Sequence, residues 1–244
     1  MDPKHSRTVA IIQARLGSTR LPRKVLRDIA GKTMIERVVE RVQQAKLIDD
    51  IVIATTTEPC DVELIEFCER QGWNVFAGSE HDVLSRYVKA ATHFDADNIV
   101  RITSDCPLLD SRVIDEVISA LSPEHDYACN FHPERKYPRG LDCEILTRST
   151  LNRIDKLATE QRFREHVTLF IYQNEGEFSI GSTACEQDNS HLRWTVDTPE
   201  DLELVRSIYD HFGRTKFDTR QIISAYNSHQ QWLLINQNTQ QKVA

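Results

Sequence analysis

Glycine is scarce in this chain, at 8 of 244 residues, about 3% where about 7% is usual. Few positions remain at which the backbone can turn left-handed or come close to a ligand, so each glycine has to be read by its place. Both common nucleotide fingerprints are missing too. No G-x-x-x-x-G-K-[ST] and no G-x-G-x-x-G occurs, which excludes a Walker A loop and a dinucleotide-binding turn. The six cysteines (Cys60, Cys68, Cys106, Cys129, Cys143, Cys185) form no C-x-x-C pair and no zinc-like spacing, so they read as free, mostly buried thiols. No apolar run reaches the length of a membrane-spanning helix. The start, MDPKHSRTVAIIQA, lacks the apolar core of a secretory signal, and a cytoplasmic protein without a membrane partner is expected. Basic charge is in deficit overall, 30 Lys and Arg against 37 Asp and Glu for a net charge of −7, which argues against a nucleic-acid binder.

What is present is unevenly placed. Residues 1–46 hold 11 basic and 4 acidic side chains, a surplus of +7 that leaves −14 for the remainder. A small anion suits the N-terminal end. With 40% hydrophobic and 27% charged residues the composition is that of a folded globular chain. Its length fits one large domain.

Thr8 to Ala14 is an apolar run that ends in a polar, basic loop, as a buried strand would. Helical periodicity follows over Thr33 to Lys46, then a strand at Asp50 to Thr56, a helix at Asp61 to Gln71, a strand at Trp73 to Ala77, a helix at His81 to Phe94 and a strand at Asn98 to Thr103. Strands alternating with helices predict a parallel sheet with right-handed crossovers. After about residue 122 the pattern loosens into α+β additions. Strands are predicted at Tyr127 to Asn130, Cys143 to Thr147, Phe178 to Thr183 and His191 to Val196, and helices at Ser149 to Leu157, Phe163 to Asn174, Glu200 to Phe212 and Thr219 to Asn236. No linker and no repeat interrupts the chain, so one compact domain is expected, with its ligands beyond the C-terminal ends of the parallel strands.

The loop Ala14-Arg15-Leu16-Gly17-Ser18-Thr19-Arg20-Leu21-Pro22-Arg23-Lys24 carries the strongest chemistry. A triphosphate needs backbone N–H groups, hydroxyls and fixed cations at short range, and a strand-to-loop junction offers all three. Gly17 admits close backbone approach, Ser18 and Thr19 add donors, and Arg15, Arg20 and Lys24 offset negative charge. A solvated basic loop accounts for the same residues equally well. Asp105 and Asp197 each follow a predicted strand, so both can meet at one sheet edge, where two carboxylates facing a triphosphate would hold Mg²⁺. Each also has a plain structural use, Asp105 at the turn before Cys106-Pro107 and Asp197 at the helix start D-T-P-E. The D-x-D at Asp95-Ala96-Asp97 precedes a strand rather than following one, and reads as a solvated connection.

Several stretches resemble one family. IIQARLGSTRLPRKVLRDIAGKTMIERV resembles the nucleotide-binding segment of the acidic-sugar cytidylyltransferases, which include the enzymes that activate 3-deoxy-manno-octulosonate and sialic acid with CTP. The resemblance is strongest to the spore-coat polysaccharide biosynthesis protein F group, with GSEHDVLSRY, VRITSDCPLLD, GLDCE, REHVT and HLRWTVDTPEDLELV following in order, covering residues 8 to about 210. It implies a Rossmann-like, mostly parallel α/β sheet of the nucleotide-diphospho-sugar transferase type. Within one domain of residues 1–244 it implies a nucleotide-binding half at 8–122, acceptor and dimerisation additions at 123–190, and a metal-aspartate strand with closing helices at 191–236. The implied reaction moves CMP from CTP to a sugar acid or related acceptor and releases pyrophosphate, for surface polysaccharide synthesis.

In the resemblance Arg15, Lys24 and Asp105 are catalytic, and Asp105 and Asp197 bind Mg²⁺. Ala14, Arg15, Leu16, Gly17, Ser18, Arg20, Lys24, Gly78, Ser79 and Glu80 bind the nucleotide, while Arg139, Asp142, Glu144, Arg164, Glu165 and His166 face the acceptor. His166 starts an apolar helix and also fits a satisfied structural histidine. Arg101 either points at the site or forms a structural ion pair. Thr195 stands where some sialic-acid enzymes carry a second acid, and Arg23 and Ser104 stand where relatives often have glycine. A homodimer is implied as well. Two other readings stay open: a metal-dependent glycosyltransferase that consumes a nucleotide sugar, and a non-catalytic nucleotide-binding protein.

Overall fold

The computed structural model describes residues 6–183, 185–213 and 216–241. β1 (Thr8–Gln13) leads through a basic loop and a small antiparallel hairpin, β2 (Asp28–Ile29) and β3 (Lys32–Thr33), into α1 (Met34–Val42). The start of α1 is fixed by a capping box in which Thr33 and Glu36 exchange side-chain and backbone hydrogen bonds. β4 (Asp50–Thr56), α2 (Val62–Arg70), β5 (Asn74–Gly78), α3 (Val83–His93) and β6 (Asn98–Thr103) follow as expected. Then come α4 (Ser111–Ser119), β7 (Tyr127–Cys129), β8 (Glu144–Thr147), α5 (Arg148–Leu157), α6 (Gln161–Glu165), α7 (Leu169–Gln173), β9 (Ile180–Ser182), α8 (Pro199–Phe212), α9 (Thr219–Tyr226) and α10 (Trp232–Ile235).

Seven strands form one sheet in the order β5-β4-β1-β6-β8-β7-β9. β5, β4, β1 and β6 run parallel, β8 pairs antiparallel with both β6 and β7, and β9 is parallel to β7. Strand alternation splits the apolar residues between two cores. Ala10, Ile12, Ile53, Val100 and Ile102 face α1, α2, α4, α8 and α9. Val9, Ile11, Val52, Ala54 and Ile99 face α3, α5, α6 and α7. Each fully buried Val or Ile contributes about 1.5–3 kcal/mol relative to exposure, and a register slip of one residue would swap the two faces.

The chain leaves β1 toward β4 and returns on its other side as β6, so strand order reverses at β1. The crevice beyond the C-terminal ends of β1 and β6 is where ligands bind in such sheets. Register puts Gln13 opposite Thr103, so the basic loop and Asp105 emerge side by side.

Four features differ from the sequence expectations. α4 was not expected, although Asp110 caps it and Val113, Ile114 and Val117 supply its buried stripe. Residues 191–196 form no strand; their one ladder-type pairing is an isolated bridge between Arg139 and Arg193. The helix expected over Phe163 to Asn174 is two short ones, broken where Val167 takes a φ of 40°. The last expected helix stops at Tyr226 and resumes at Trp232. No helix among the described residues is long and apolar enough to cross a membrane.

Candidate active site

The basic loop is held from below by a residue that sequence reasoning missed. Asp61, 1% exposed, accepts from the Leu16 backbone N–H at 2.6 Å with one carboxylate oxygen and from the Thr56 hydroxyl with the other. Leu16 itself is buried in the core, so it anchors the loop and leaves Ala14, Arg15, Gly17, Ser18, Thr19, Arg20 and Lys24 along a polar cleft. The loop ends at Arg23, which takes a left-handed φ of 59° at the start of the single helical turn Lys24–Leu26. Glycine adopts that conformation without strain, whereas an arginine there holds a conformation that L-residues seldom take.

Lys24 is where the loop meets the rest of the site. Its Nζ donates to Asp105 Oδ2 at 2.8 Å, to Asp197 Oδ1 at 2.9 Å and to the Val196 carbonyl at 3.0 Å. Residues separated by 81 and 173 positions in sequence thereby converge on one atom. Burial alone would raise the Asp105 carboxyl, but Lys24 overrides it and holds the group down to about 2. Burial likewise opposes the charge on Lys24, and the two carboxylates outweigh it, so its pKa is raised.

Asp197 is further gripped by Arg20 and Arg193, both at 2.9 Å from Oδ2. Arg193 also forks onto Asp201, at 2.9 and 3.0 Å, and Asp201 closes the capping box of α8 with Thr198. The T-x-x-D pattern at Thr198 was the sequence signal for that second tier. The segment bearing Asp197 is placed by backbone bonds from Trp194 N and Thr195 N to the Arg139 carbonyl, at 2.7 and 3.1 Å, and from Val196 N to the Asp105 carbonyl at 2.8 Å.

The cleft has a volume of about 290 Å³ and is also lined by Gln13, Glu80, Val83, Arg86, Arg101, Thr103, Ser104, Glu165 and His166. Glu80 spans it to Arg15 at 2.8 Å. Gly78 and Ser79 support the rim rather than line it, since Ser79 Oγ accepts from Asp82 N at 3.0 Å and the Ser79 carbonyl accepts from Arg86. A larger cavity of about 760 Å³ lies beneath α1. Its two arginines are engaged within the chain, Arg37 by the carbonyls of Ile29 and Ala30 and Arg41 by the Phe217 carbonyl and the Tyr209 hydroxyl.

Of the six residues expected at the acceptor, only Glu165 and His166 reach this cleft. Arg164 instead ties α3 to α5: it forks onto Asp82 at 2.9 Å twice and bonds Asp155 at 2.7 Å. Glu144, 2% exposed, accepts from Tyr127, Thr168 and Arg101, so Arg101 resolves as an ion pair at the cleft floor. Asp142 pairs with Arg135, and Arg139 lines a separate depression with His191, Arg193 and Trp232. The His166 imidazole lines the cleft with no hydrogen-bond partner among the described residues, against the expectation of a satisfied structural histidine.

Two carboxylates and a carbonyl around one cation are the hard oxygen donors that Mg²⁺ prefers, and the point they share is the one now taken by Lys24 Nζ. Among the described residues no group of three or more His, Cys, Asp or Glu side chains forms a metal cluster. A metal here would complete its shell with water or phosphate oxygens.

Residues 9–233 match the family model described as Cytidylyltransferase. The spore coat polysaccharide biosynthesis protein SpsF of Bacillus subtilis is 33% identical over 89% of this chain and 92% of its own length. An uncharacterized protein of Methanocaldococcus jannaschii is 37% identical over 96% of both chains. A cytidylyltransferase structure from Leptospira borgpetersenii superposes with a TM-score of 0.90 at 31% identity, covering 98% of this chain and 100% of the other. CMP:2-keto-3-deoxy-manno-octonic acid synthetase complexed with CTP shares the fold, at a TM-score of 0.68 and 22% identity over 84% of this chain and 99% of that one. The match of residues 9–233 to the family model agrees with the polar cleft at the strand-order reversal and the basic loop that rims it: the chain belongs to the cytidylyltransferase family.

Proposed function

We propose that the chain transfers CMP from CTP to the oxygen of a sugar acid or related acceptor, releasing pyrophosphate, in the making of a surface polysaccharide. The observation that carries this reading is the convergence of Lys24, Asp105 and Asp197 at one end of a cleft rimmed by Arg15, Ser18, Thr19 and Arg20. Such a transfer needs alignment and charge neutralisation more than covalent chemistry from the protein.

The loop cations and N–H groups grip the triphosphate so that the α-phosphorus faces the cleft. An acceptor oxygen forms the new O–P bond there while the bond to the β-phosphate oxygen breaks and pyrophosphate leaves. His166, free in the cleft, takes the acceptor's proton. Asp105 and Asp197 would hold Mg²⁺, which supplies Lewis-acid polarisation of a phosphoryl oxygen. Lys24 then gives up its carboxylate partners for the phosphates, whose negative charge takes over from Asp105 and Asp197 in favouring its charged form. A homodimer belongs to the same proposal; sedimentation velocity should find twice the 28.2 kDa chain mass, and a monomer would refute that part.

The test is pyrophosphate release from each of the four nucleoside triphosphates, with Mg²⁺ and a panel of sugar acids. Release with CTP and an acid supports the reading. Turnover confined to another triphosphate, or no release with any acid, counts against it.

A further inference from the structure

Arg86, on α3, lines the cleft beside the basic loop. It is 3% exposed, so its guanidinium has lost nearly all its water. A buried guanidinium recovers that cost when a carboxylate or several carbonyls take its donors. Other arginines in the fold find such partners: Arg37 bonds two carbonyls and Glu40, Arg41 bonds the Phe217 carbonyl and the Tyr209 hydroxyl, and the half-buried Arg101 and Arg193 pair with Glu144 and Asp201, although Arg101 Nε is itself left without a partner. Arg86 does not. Among the described residues its one hydrogen bond runs from Nη1 to the Ser79 carbonyl at 2.6 Å, while Nε is buried without any partner. Burial lowers its pKa, and the nearby charge of Arg15 pushes in the same direction.

The residue is built into this position. Gly78 has no side chain, and a Cβ there would stand 3.0 Å from Arg86 Cγ, so the glycine makes room for the arginine stem. The loop that accepts from Nη1 continues to Glu80, which is already engaged by Arg15. The two carboxylates whose charge reaches Arg86 are both bonded elsewhere, Asp61 to the Leu16 N–H and the Thr56 hydroxyl and Glu80 to Arg15, so neither accepts from the remaining Arg86 donors.

We propose that Arg86 is a nucleotide-binding residue whose Nη2, without a hydrogen-bond partner among the described residues and not closed off from the cleft as Nε is, donates to an oxygen of the bound nucleotide. This rests on the reading of the cleft as a nucleotide site. The nucleotide is favoured over the acceptor because Arg86 is tethered to the rim loop that holds Arg15, the first cation of the phosphate loop. The oxygen belongs either to a phosphate or to the pyrimidine carbonyl, which share the acceptor chemistry a guanidinium reads.

The test uses the full chain with Arg86→Met and Arg86→Lys, and calorimetric binding of CTP and of inorganic tripolyphosphate. Arg86→Met should weaken CTP binding on the order of ten- to a hundred-fold, the loss of a charged hydrogen bond, and Arg86→Lys should recover part of it. The Tm of unliganded Arg86→Met should equal or exceed that of the parent, because an unpaired buried charge has been removed; a purely structural arginine would lower it. Tripolyphosphate weakening in step assigns the contact to a phosphate, and tripolyphosphate binding unchanged assigns it to the base. CTP affinity within two-fold of the parent in folded Arg86→Met overturns the proposal, as does failure of Arg86→Met to fold while Arg86→Lys folds and binds normally. If the parent binds ATP, GTP or UTP instead of CTP, the CTP reading fails and Arg86 is judged on the nucleotide that binds. If none of the four binds, both fall.

Discussion

Gly140 should be the most sensitive glycine in the chain. Its φ is +102°, and a Cβ added there would lie 2.5 Å from Thr195 N and 2.6 Å from the Trp194 carbonyl carbon. Both neighbours are backbone, so no side chain can swing away. Gly140→Ala then meets two costs: an unfavourable backbone conformation, about 1–3 kcal/mol, and overpacking, about 1–3 kcal/mol. Relief requires the 192–197 segment to move by several tenths of an ångström or more, against the bonds from Trp194 N and Thr195 N to the Arg139 carbonyl. That segment carries Asp197, and a misplacement of about 1 Å at reacting groups can cost about a hundred-fold in rate. Gly72→Ala is the control, with a φ of +70° and nothing within 4 Å of the added Cβ. It should cost about 1–2 kcal/mol from the backbone alone and leave turnover intact. Urea unfolding and pyrophosphate release would be measured on both variants. Gly140→Ala no less stable and no less active than Gly72→Ala would refute the view that this close approach places Asp197.

Lys24→Ala should keep the fold and reduce CTP turnover by about a hundred-fold or more, as removal of a fixed charge at a phosphoryl-transfer site does; unchanged pyrophosphate release would remove Lys24 from the site. Asp197→Asn should raise the Mg²⁺ concentration needed for half-maximal rate, and a full rate at ordinary Mg²⁺ would contradict its assignment. Asp61→Ala leaves the Leu16 N–H and the Thr56 hydroxyl without their acceptor, so stability should fall by about 1–3 kcal/mol and the KM for CTP should rise; a KM at the parent value would show that the loop is held by other contacts. Burial pushes the Cys68 thiol up to about 12, whereas Cys60 is exposed. A thiol reagent at pH 8 should therefore modify Cys60 quickly and Cys68 only on unfolding, and peptide mapping with Cys68 labelled first would contradict that.

The parallel half of the fold was legible because its strands are short apolar runs between helical stripes: Thr8–Gln13, Asp50–Thr56 and Asn98–Thr103 sit close to where the sequence puts them. The second half was harder, since its breaks are tertiary. Val167 leaves the helix at a φ of 40°, a conformation no β-branched residue would be assigned from propensity. Residues 191–196 look like a strand by alternation but make only an isolated bridge, at Arg139, and no ladder. At the site, composition located the cationic loop, and family resemblance brought in Asp105 and Asp197. Neither could show that Lys24 bridges them, because that contact joins residues 81 and 173 positions apart. The acceptor side was read least well. Arg164, Glu144 and Asp142 carry the charges expected of substrate contacts, yet each is neutralised by another part of the chain. Asp61, Arg86 and Arg193 were missed for the converse reason: their roles arise from burial and partners, which no local pattern records.

The fate of the α-phosphorus of CTP decides between transfer of CMP and the alternatives. Incubating the chain with CTP labelled at that phosphorus, Mg²⁺ and a panel of sugar acids should yield a labelled CMP-linked product and an equal amount of unlabelled pyrophosphate. Label recovered only in unreacted CTP, together with consumption of a nucleotide sugar without pyrophosphate release, would contradict it.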